Sequence, residues 1–262
     1  MSVSLVTTTW SCSSTFDLLN TELYKSFKHF NPNLPVYHCH YNRYDFLKKE
    51  WEFTDRFGLK QQAEYILYKI VFLKDHLEQI TTDYIIVCDA NDVVCLNDVH
   101  YLLNCFDLEN LVVVGTEKQQ WPPKENSDSW KIFGFVDYSN FDLQNKYFLN
   151  SGMILASKKN FAKMLEQMID IILAKNIKNF RNDQGVFVWY YTAQMQPQIK
   201  LDYENTFVVN TFGRTTEDFE FKDNKLYEKN KQTAPCFVHD NGLEHGSPKF
   251  IEHFDLKQAY SY

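Results

Sequence analysis

Asp89-Ala-Asn-Asp92 sets two carboxylates three positions apart. In a tight turn both can face one hard cation, and Mg²⁺ or Mn²⁺ takes such oxygen ligands while bridging them to substrate phosphates. Alone the pattern is weak, because Asp and Asn also serve turns and helix caps. His239-Asp-Asn-Gly242 offers an imidazole able to complete the protein ligands of such an ion, and Gly242 lets the backbone turn closely past a ligand. The competing reading of His239 is a loop histidine bonded to backbone. Lys249 follows shortly, where an ammonium can offset charge developing on a leaving diphosphate; a solvated surface lysine is the plain alternative. Lys69 lies on a long helical pattern, and its plain reading is a surface charge with its stem on the core. Phe148-Leu-Asn-Ser-Gly152 interrupts a strand pattern with an amide, a hydroxyl and a glycine. Asn150 can then hydrogen-bond sugar hydroxyls, or the segment is simply a β-bulge. In Arg181-Asn-Asp-Gln-Gly185, Asn182 or Asp183 caps a helix, and a carboxylate held there is well oriented for a sugar hydroxyl.

The elements that must position these groups alternate along the chain. Val3 to Thr9 reads as a strand and Leu18 to Phe27 as a helix. Val36 to Tyr41 reads as a second strand after the turn-forming Asn31-Pro-Asn-Leu-Pro35. From Gln61 to Gln79 the residues Ile66, Ile70, Leu73 and Leu77 recur at helical spacing. Tyr84-Ile-Ile-Val-Cys88 is an apolar run of the kind found in central parallel strands buried on both faces. It ends directly on Asp89, and in open α/β sheets ligands sit beyond the carboxyl ends of strands. Further strands are expected at Leu111 to Thr116 and Phe148 to Ala156, with helices from about Lys158 to Ala174 and Asp183 to Tyr191. This alternation predicts a helix-flanked sheet, three layers deep. Beyond Tyr203 only short apolar pieces remain, Phe207-Val-Val209 and Cys236-Phe-Val-His239. The polar stretch from Arg214 to Lys231 between them reads as a loop or irregular hairpin.

Composition narrows the function. The 262 residues, 44% hydrophobic, suit one α/β domain spanning 1–262. A net charge of -7 argues against a broad surface for nucleic acid or anionic membrane, so a phosphate site must be local. The start, Met1-Ser-Val-Ser-Leu, has neither a basic region nor the apolar stretch of a signal peptide, and no segment approaches a membrane span. The expected location is therefore cytoplasmic. The six cysteines are scattered without CxxC spacing, which predicts reduced thiols. The letters His253-Phe-Asp255 match a non-haem iron His-x-Asp, but no later His exists to complete a triad.

Taken in order, these motifs resemble the N-terminal glycosyltransferase domain of the multifunctional procollagen lysyl hydroxylases over nearly the whole chain. Lys69-Ile-Val-Phe-Leu-Lys74 is similar to that family's helix before the metal strand, and Asp89-Ala-Asn-Asp92 to its Asp-x-x-Asp motif. Trp121-Pro122 is similar to its Trp-Pro beside the donor site. Phe148-Leu-Asn-Ser-Gly152 is nearly identical to a family segment. Asp183-Gln184, Leu201-Asp202 and His239-x-Asn241-Gly242 match further landmarks. Two departures stand out: the acidic run is shortened to Asn182-Asp183, and Leu59-Lys-Gln-Gln62 replaces a glycine-rich approach to the Lys69 helix.

The resemblance implies a GT-A fold, Rossmann-like, with a mixed and mainly parallel sheet flanked by helices. It implies a hexosyltransferase that uses UDP-glucose or UDP-galactose, with Asp89, Asp92 and His239 holding Mn²⁺. Thr7, Thr8 and Thr9 would line the nucleotide pocket, and Lys69, Trp121, Asn241, Gly242 and Lys249 would serve the donor. Asp183 and Asn150 would act on donor or acceptor hydroxyls. The implied acceptor is a hydroxyl of hydroxylysine type, or a galactosyl one, on a collagen-like protein. Rival readings are a transferase of the same fold acting on a glycan, a non-catalytic nucleotide-sugar-binding domain, and a metal-dependent phosphohydrolase. The last expects a second acidic cluster, and the sequence offers none.

Overall fold

The computed structural model describes residues 1–11, 16–42, 65–119, 148–174, 183–231, 233–241 and 249–260. Its strands are β1 (Val3–Ser11), β2 (Val36–Asn42), β3 (Tyr84–Asp89), β4 (Val93–Cys95), β5 (Leu111–Glu117), β6 (Phe148–Ser157), β7 (Gln198–Leu201), β8 (Val208–Asn210), β9 (Phe219–Lys222), β10 (Lys225–Glu228) and β11 (Phe237–His239). The helices are α1 (Glu22–Phe30), α2 (Tyr65–Leu77), α3 (Leu102–Cys105), α4 (Lys158–Ala174), α5 (Asp183–Thr192) and α6 (Phe250–His253). Among the described residues, no helix is long and apolar enough to cross a membrane.

Six strands form the central sheet in the order β2-β1-β3-β6-β5-β7. The pairs β1–β2, β1–β3 and β5–β7 are parallel, whereas β6 runs antiparallel between β3 and β5. The sheet is therefore mixed and mainly parallel. Alternation along β3 decides which layer each side chain joins. Ile85 and Val87 meet Ile70, Leu73 and Leu77 of α2 and Phe161, Met164 and Leu165 of α4. Ile86 and Cys88 point the other way, toward Leu23 and Phe27 of α1 and toward Val93 and Phe237. Helix α1 begins where the Thr21 hydroxyl accepts the Tyr24 N–H, and basic Lys28 and His29 occupy its last turn.

The sequence reading missed β4 and β7, each too short to show a hydrophobic period. Strand β4 joins β11 and β8 in a second, three-stranded sheet. This sheet gathers the short apolar pieces after Tyr203 and brings β11 beside the exit of β3. Part of the polar stretch 214–231 folds as the β9–β10 hairpin. Its two turn residues, Asp223 and Asn224, both have positive φ, as a two-residue primed turn requires. Among the described residues Cys39, Cys88, Cys95, Cys105 and Cys236 are unbridged, and Cys12 lies outside them.

Candidate functional site

The candidate site lies at the carboxyl end of β3. Asp89 is that strand's last residue, and Asp92 follows in the turn into β4. His239 closes β11, whose register sets it opposite Val93, next to Asp92. Nε2 of His239 stands 3.5 Å from Asp92 Oδ2 and 4.0 Å from Asp89 Oδ2. His239 is 3% exposed, while the two aspartates keep about a third or more of their side chains open to solvent. Burial opposes the charge on both Asp92 and His239. Their proximity outweighs it, holding Asp92 below the usual carboxylate range and raising His239 above the ordinary imidazole.

Hydrogen bonds fix the imidazole. Asn210, which ends β8, donates its amide N–H to the Thr116 carbonyl, so its Oδ1 remains to accept from His239 Nδ1 at 2.7 Å. That arrangement leaves Nε2 directed at the two carboxylates, as a metal-binding imidazole requires. Glycine makes the approach possible. A Cβ at Gly152 would stand 2.3 Å from His239 Cε1, and one at Gly115 would stand 2.4 Å from Asn210 Nδ2.

The donor set suits a divalent cation: two carboxylates and one imidazole converge, and Asp92 Oδ1 is buried without a hydrogen-bond partner. The present spacing is wider than the roughly 3 Å between neighbouring ligands of an octahedral ion bound at about 2.1 Å. Among the described residues these groups do not form a closed metal-ligand cluster, and the side chains would have to draw inward to hold an ion.

Beside a cavity that reaches Asp89, the Lys69 ammonium of α2 meets Asp183 Oδ2 of α5 at 2.6 Å. Lys69, Asp183, Thr8, Asp89 and Gly152 all line this cavity. Its depth is apolar, with Ile70, Leu73, Leu165 and Phe187. Asp183 is the first residue of its helix, as the motif suggested.

The threonines of β1 divide their roles. Thr8 Oγ1 donates to Asp89 Oδ1 at 3.2 Å, Thr9 bonds His38 Nε2 at 2.8 Å, and Thr7 Oγ1 is buried without a partner. Asn150 sits at an irregularity in β6, where the register with β5 shifts, so the bulge reading of Phe148 to Gly152 also applies. Its amide is engaged on both ends: Nδ2 donates to Glu117, and Oδ1 accepts the Gly152 N–H. Asn241 is held likewise, by Glu117 and the Phe212 N–H. The Lys249 ammonium is not drawn into this cluster. It is 58% exposed and pairs with Glu252 on the surface. Asp202, one of the family-like landmarks, accepts the backbone N–H groups of Thr206, Phe207 and Val208 and so launches β8. Trp121, Gly242, Asn182 and Leu59 to Gln62 lie outside the described residues.

Two residues of the site escaped the sequence reading, Glu117 and Asn210. Glu117 is fully buried at the end of β5, and burial pushes its carboxyl up to about 7 against the pull of the Asn150 and Gln184 amides. The signal was present. Each residue follows an apolar strand at its carboxyl end, the position that drew attention to Asp89 and His239.

Comparisons with known proteins bear on the fold and the family. A crystal structure of a glycosyltransferase involved in glycosylation of the major capsid of PBCV-1 is similar over 98% of this chain and 100% of its own, with a TM-score of 0.52 and 9% identity. At that identity the likeness shows the fold, a GT-A-type arrangement. The glycosyltransferase GlyE of Streptococcus pneumoniae TIGR4 matches over 77% of this chain and 45% of its own, with a TM-score of 0.43 and 15% identity. No curated protein matches the sequence. The family model described as PLOD GT domain matches residues 21–252, which runs from α1 into α6 with Asp89, Asp92, Asp183 and His239 inside it. The chain therefore belongs to the PLOD GT domain family and is a glycosyltransferase.

Proposed function

We propose that this chain transfers a hexose, glucose or galactose, from a UDP-sugar to a hydroxyl on a protein or glycan, in a reaction dependent on Mn²⁺ or Mg²⁺. The observation that carries this reading is the convergence of Asp89, Asp92 and His239 beyond β3, with Asp92 Oδ1 buried and unpaired, and with Asp89 lining one cavity together with the Lys69–Asp183 pair. Asp89, Asp92 and His239 would hold the ion. When bound, it supplies Lewis-acid stabilisation of the departing diphosphate.

The chain's own groups divide the remaining work. Asp183, oriented by Lys69, serves as hydrogen-bond acceptor for a sugar hydroxyl. Asn150, engaged by Glu117 and Gly152, acts on the sugar through the backbone it positions. Thr8 steadies Asp89, and the β1 threonines border the nucleotide. Trp121, Asn241, Gly242 and Lys249 complete the donor side in this scheme, with Lys249 leaving Glu252 to reach the diphosphate. The expected acceptor is a hydroxylysine-type or galactosyl hydroxyl of collagen-like protein.

The test is UDP release over a panel of UDP-sugars with Mn²⁺, with collagen-like and saccharide acceptors added separately. We expect acceptor-stimulated release with UDP-glucose or UDP-galactose, and a loss of about a hundredfold or more in Asp92→Ala. Full Mn²⁺-dependent turnover in Asp92→Ala would falsify the metal assignment. UDP binding without turnover for any donor and acceptor would instead favour a nucleotide-sugar-binding domain.

A further inference from the structure

Glu117 accepts a hydrogen bond from three carboxamides on three separate elements. Asn150 Nδ2 of β6 donates at 2.8 Å and Asn241 Nδ2, beyond β11, at 2.9 Å, both to Oε2; Gln184 Nε2 of α5 donates to Oε1 at 2.8 Å. Each amide oxygen in turn accepts a backbone N–H. Asn150 takes that of Gly152, Gln184 that of Ser151, and Asn241 that of Phe212. The carboxylate is thus the centre of three bridges that end on backbone, two of them at Ser151 and Gly152, which line the cavity.

What those bridges hold is specific. Gly152 lies directly against His239 and Asp89, with no room for a Cβ between them. Asn241 is two residues beyond His239. Gln184 follows Asp183, whose carboxylate meets Lys69. A residue needed only to fill this space would more cheaply be apolar, because burying a carboxylate costs several kcal/mol before its partners compensate.

We infer that Glu117 is a positioning residue: by gripping Asn150, Gln184 and Asn241 it fixes Gly152, Asp183 and His239 relative to one another, and so sets how closely Asp89, Asp92 and His239 can gather on a divalent cation. The inference rests on the metal reading given above.

Mn²⁺ alone is the probe, titrated into the full chain by calorimetry or electron paramagnetic resonance, with a thermal melt in chelator as the folding control. Glu117→Gln keeps the volume but removes the charge and places a donor among three donors. We expect Mn²⁺ to bind about tenfold more weakly or worse, with the melting temperature in chelator nearly unchanged. In turnover, the Mn²⁺ needed for half-maximal rate should rise more than the maximal rate falls. Unchanged Mn²⁺ affinity in a folded Glu117→Gln overturns the inference. If that variant melts below the assay temperature, Asn150→Ala, which cuts the bridge to Gly152 and leaves Glu117 in place, is read the same way: weakened binding supports the role and wild-type binding overturns it. Asp92→Ala, run alongside, separates the two levels. Wild-type Mn²⁺ binding there removes the metal site itself, whereas loss there with none in Glu117→Gln removes only the positioning role.

Discussion

His239 owes its orientation to Asn210, and Asn210 owes its own to the Thr116 carbonyl. With Nδ1 held by that acceptor, Nε2 faces the carboxylates, so under the proposed metal reading Asn210 would orient a ligand. Partners of this kind typically change metal affinity by about 10–100-fold when removed. Asn210→Ala should therefore weaken Mn²⁺ binding by that order while leaving the fold intact by circular dichroism. Asn210→Asp, which retains an acceptor for Nδ1, should recover part of the loss. Equal affinities in all three proteins would show that the ring is fixed by packing alone. The residue scale also explains why Asp89 and Asp92 were readable and their supports were not. A pair of acids at a strand end carries a chemical pattern, whereas a single Asn after Val208 and Val209 gains meaning only when His239 arrives beside it.

Elements from distant parts of the chain meet at the Lys69–Asp183 pair. Helix α2 precedes β3 and α5 comes after β6, yet one ion pair joins them at the cavity. Both side chains are about a quarter exposed or less. A partly solvated pair of this kind contributes little to stability, on the order of 1 kcal/mol or below. Lys69→Met should then shift the denaturant midpoint only slightly. If the pair orients Asp183 for catalysis, the same variant should lower kcat by about tenfold or more, the scale expected when a charge-orienting contact is lost. A large stability loss with unchanged kcat would assign the pair to helix packing. The long elements were legible because α4 and α5 bury continuous faces and β3 is apolar from Tyr84 to Cys88. The short strands β4 and β7 were not. Three or four residues give too few repeats to reveal a period, and their pairing depends on partners far along the chain.

At the scale of the whole molecule, the proposed centre ties the central sheet to the second one. Asp89 leaves β3, and His239 ends β11. An ion bound to both stabilises the native state only, because the unfolded chain does not bring them together. At a hundredfold excess over its dissociation constant, Mn²⁺ should add about 2.7 kcal/mol, and chelator should reverse the gain. Differential scanning calorimetry should record a rise of several degrees in melting temperature for the wild type and none for Asp92→Ala. A rise of equal size in both would place the stabilising ion elsewhere. The net charge of -7 raises the local cation concentration around the molecule but supplies no such specificity.

The sequence by itself determined the order of the main elements, the buried central strand and the carboxylates at its exit. These follow from local periodicity and from the rule that ligands gather where parallel strands end. Tertiary structure alone decided that Asn150 and Asn241 turn inward to Glu117, that Lys69 is paired with Asp183, and that the Lys249 ammonium pairs with Glu252 on the surface. A side chain's type fixes what it can bond. Which of its possible partners it meets depends on packing between elements far apart in the chain, and no local pattern records that choice. Asp89, Asp92 and His239 were nameable from their letters, but the buried carboxylate that links their surroundings became visible only once three amides converged on it.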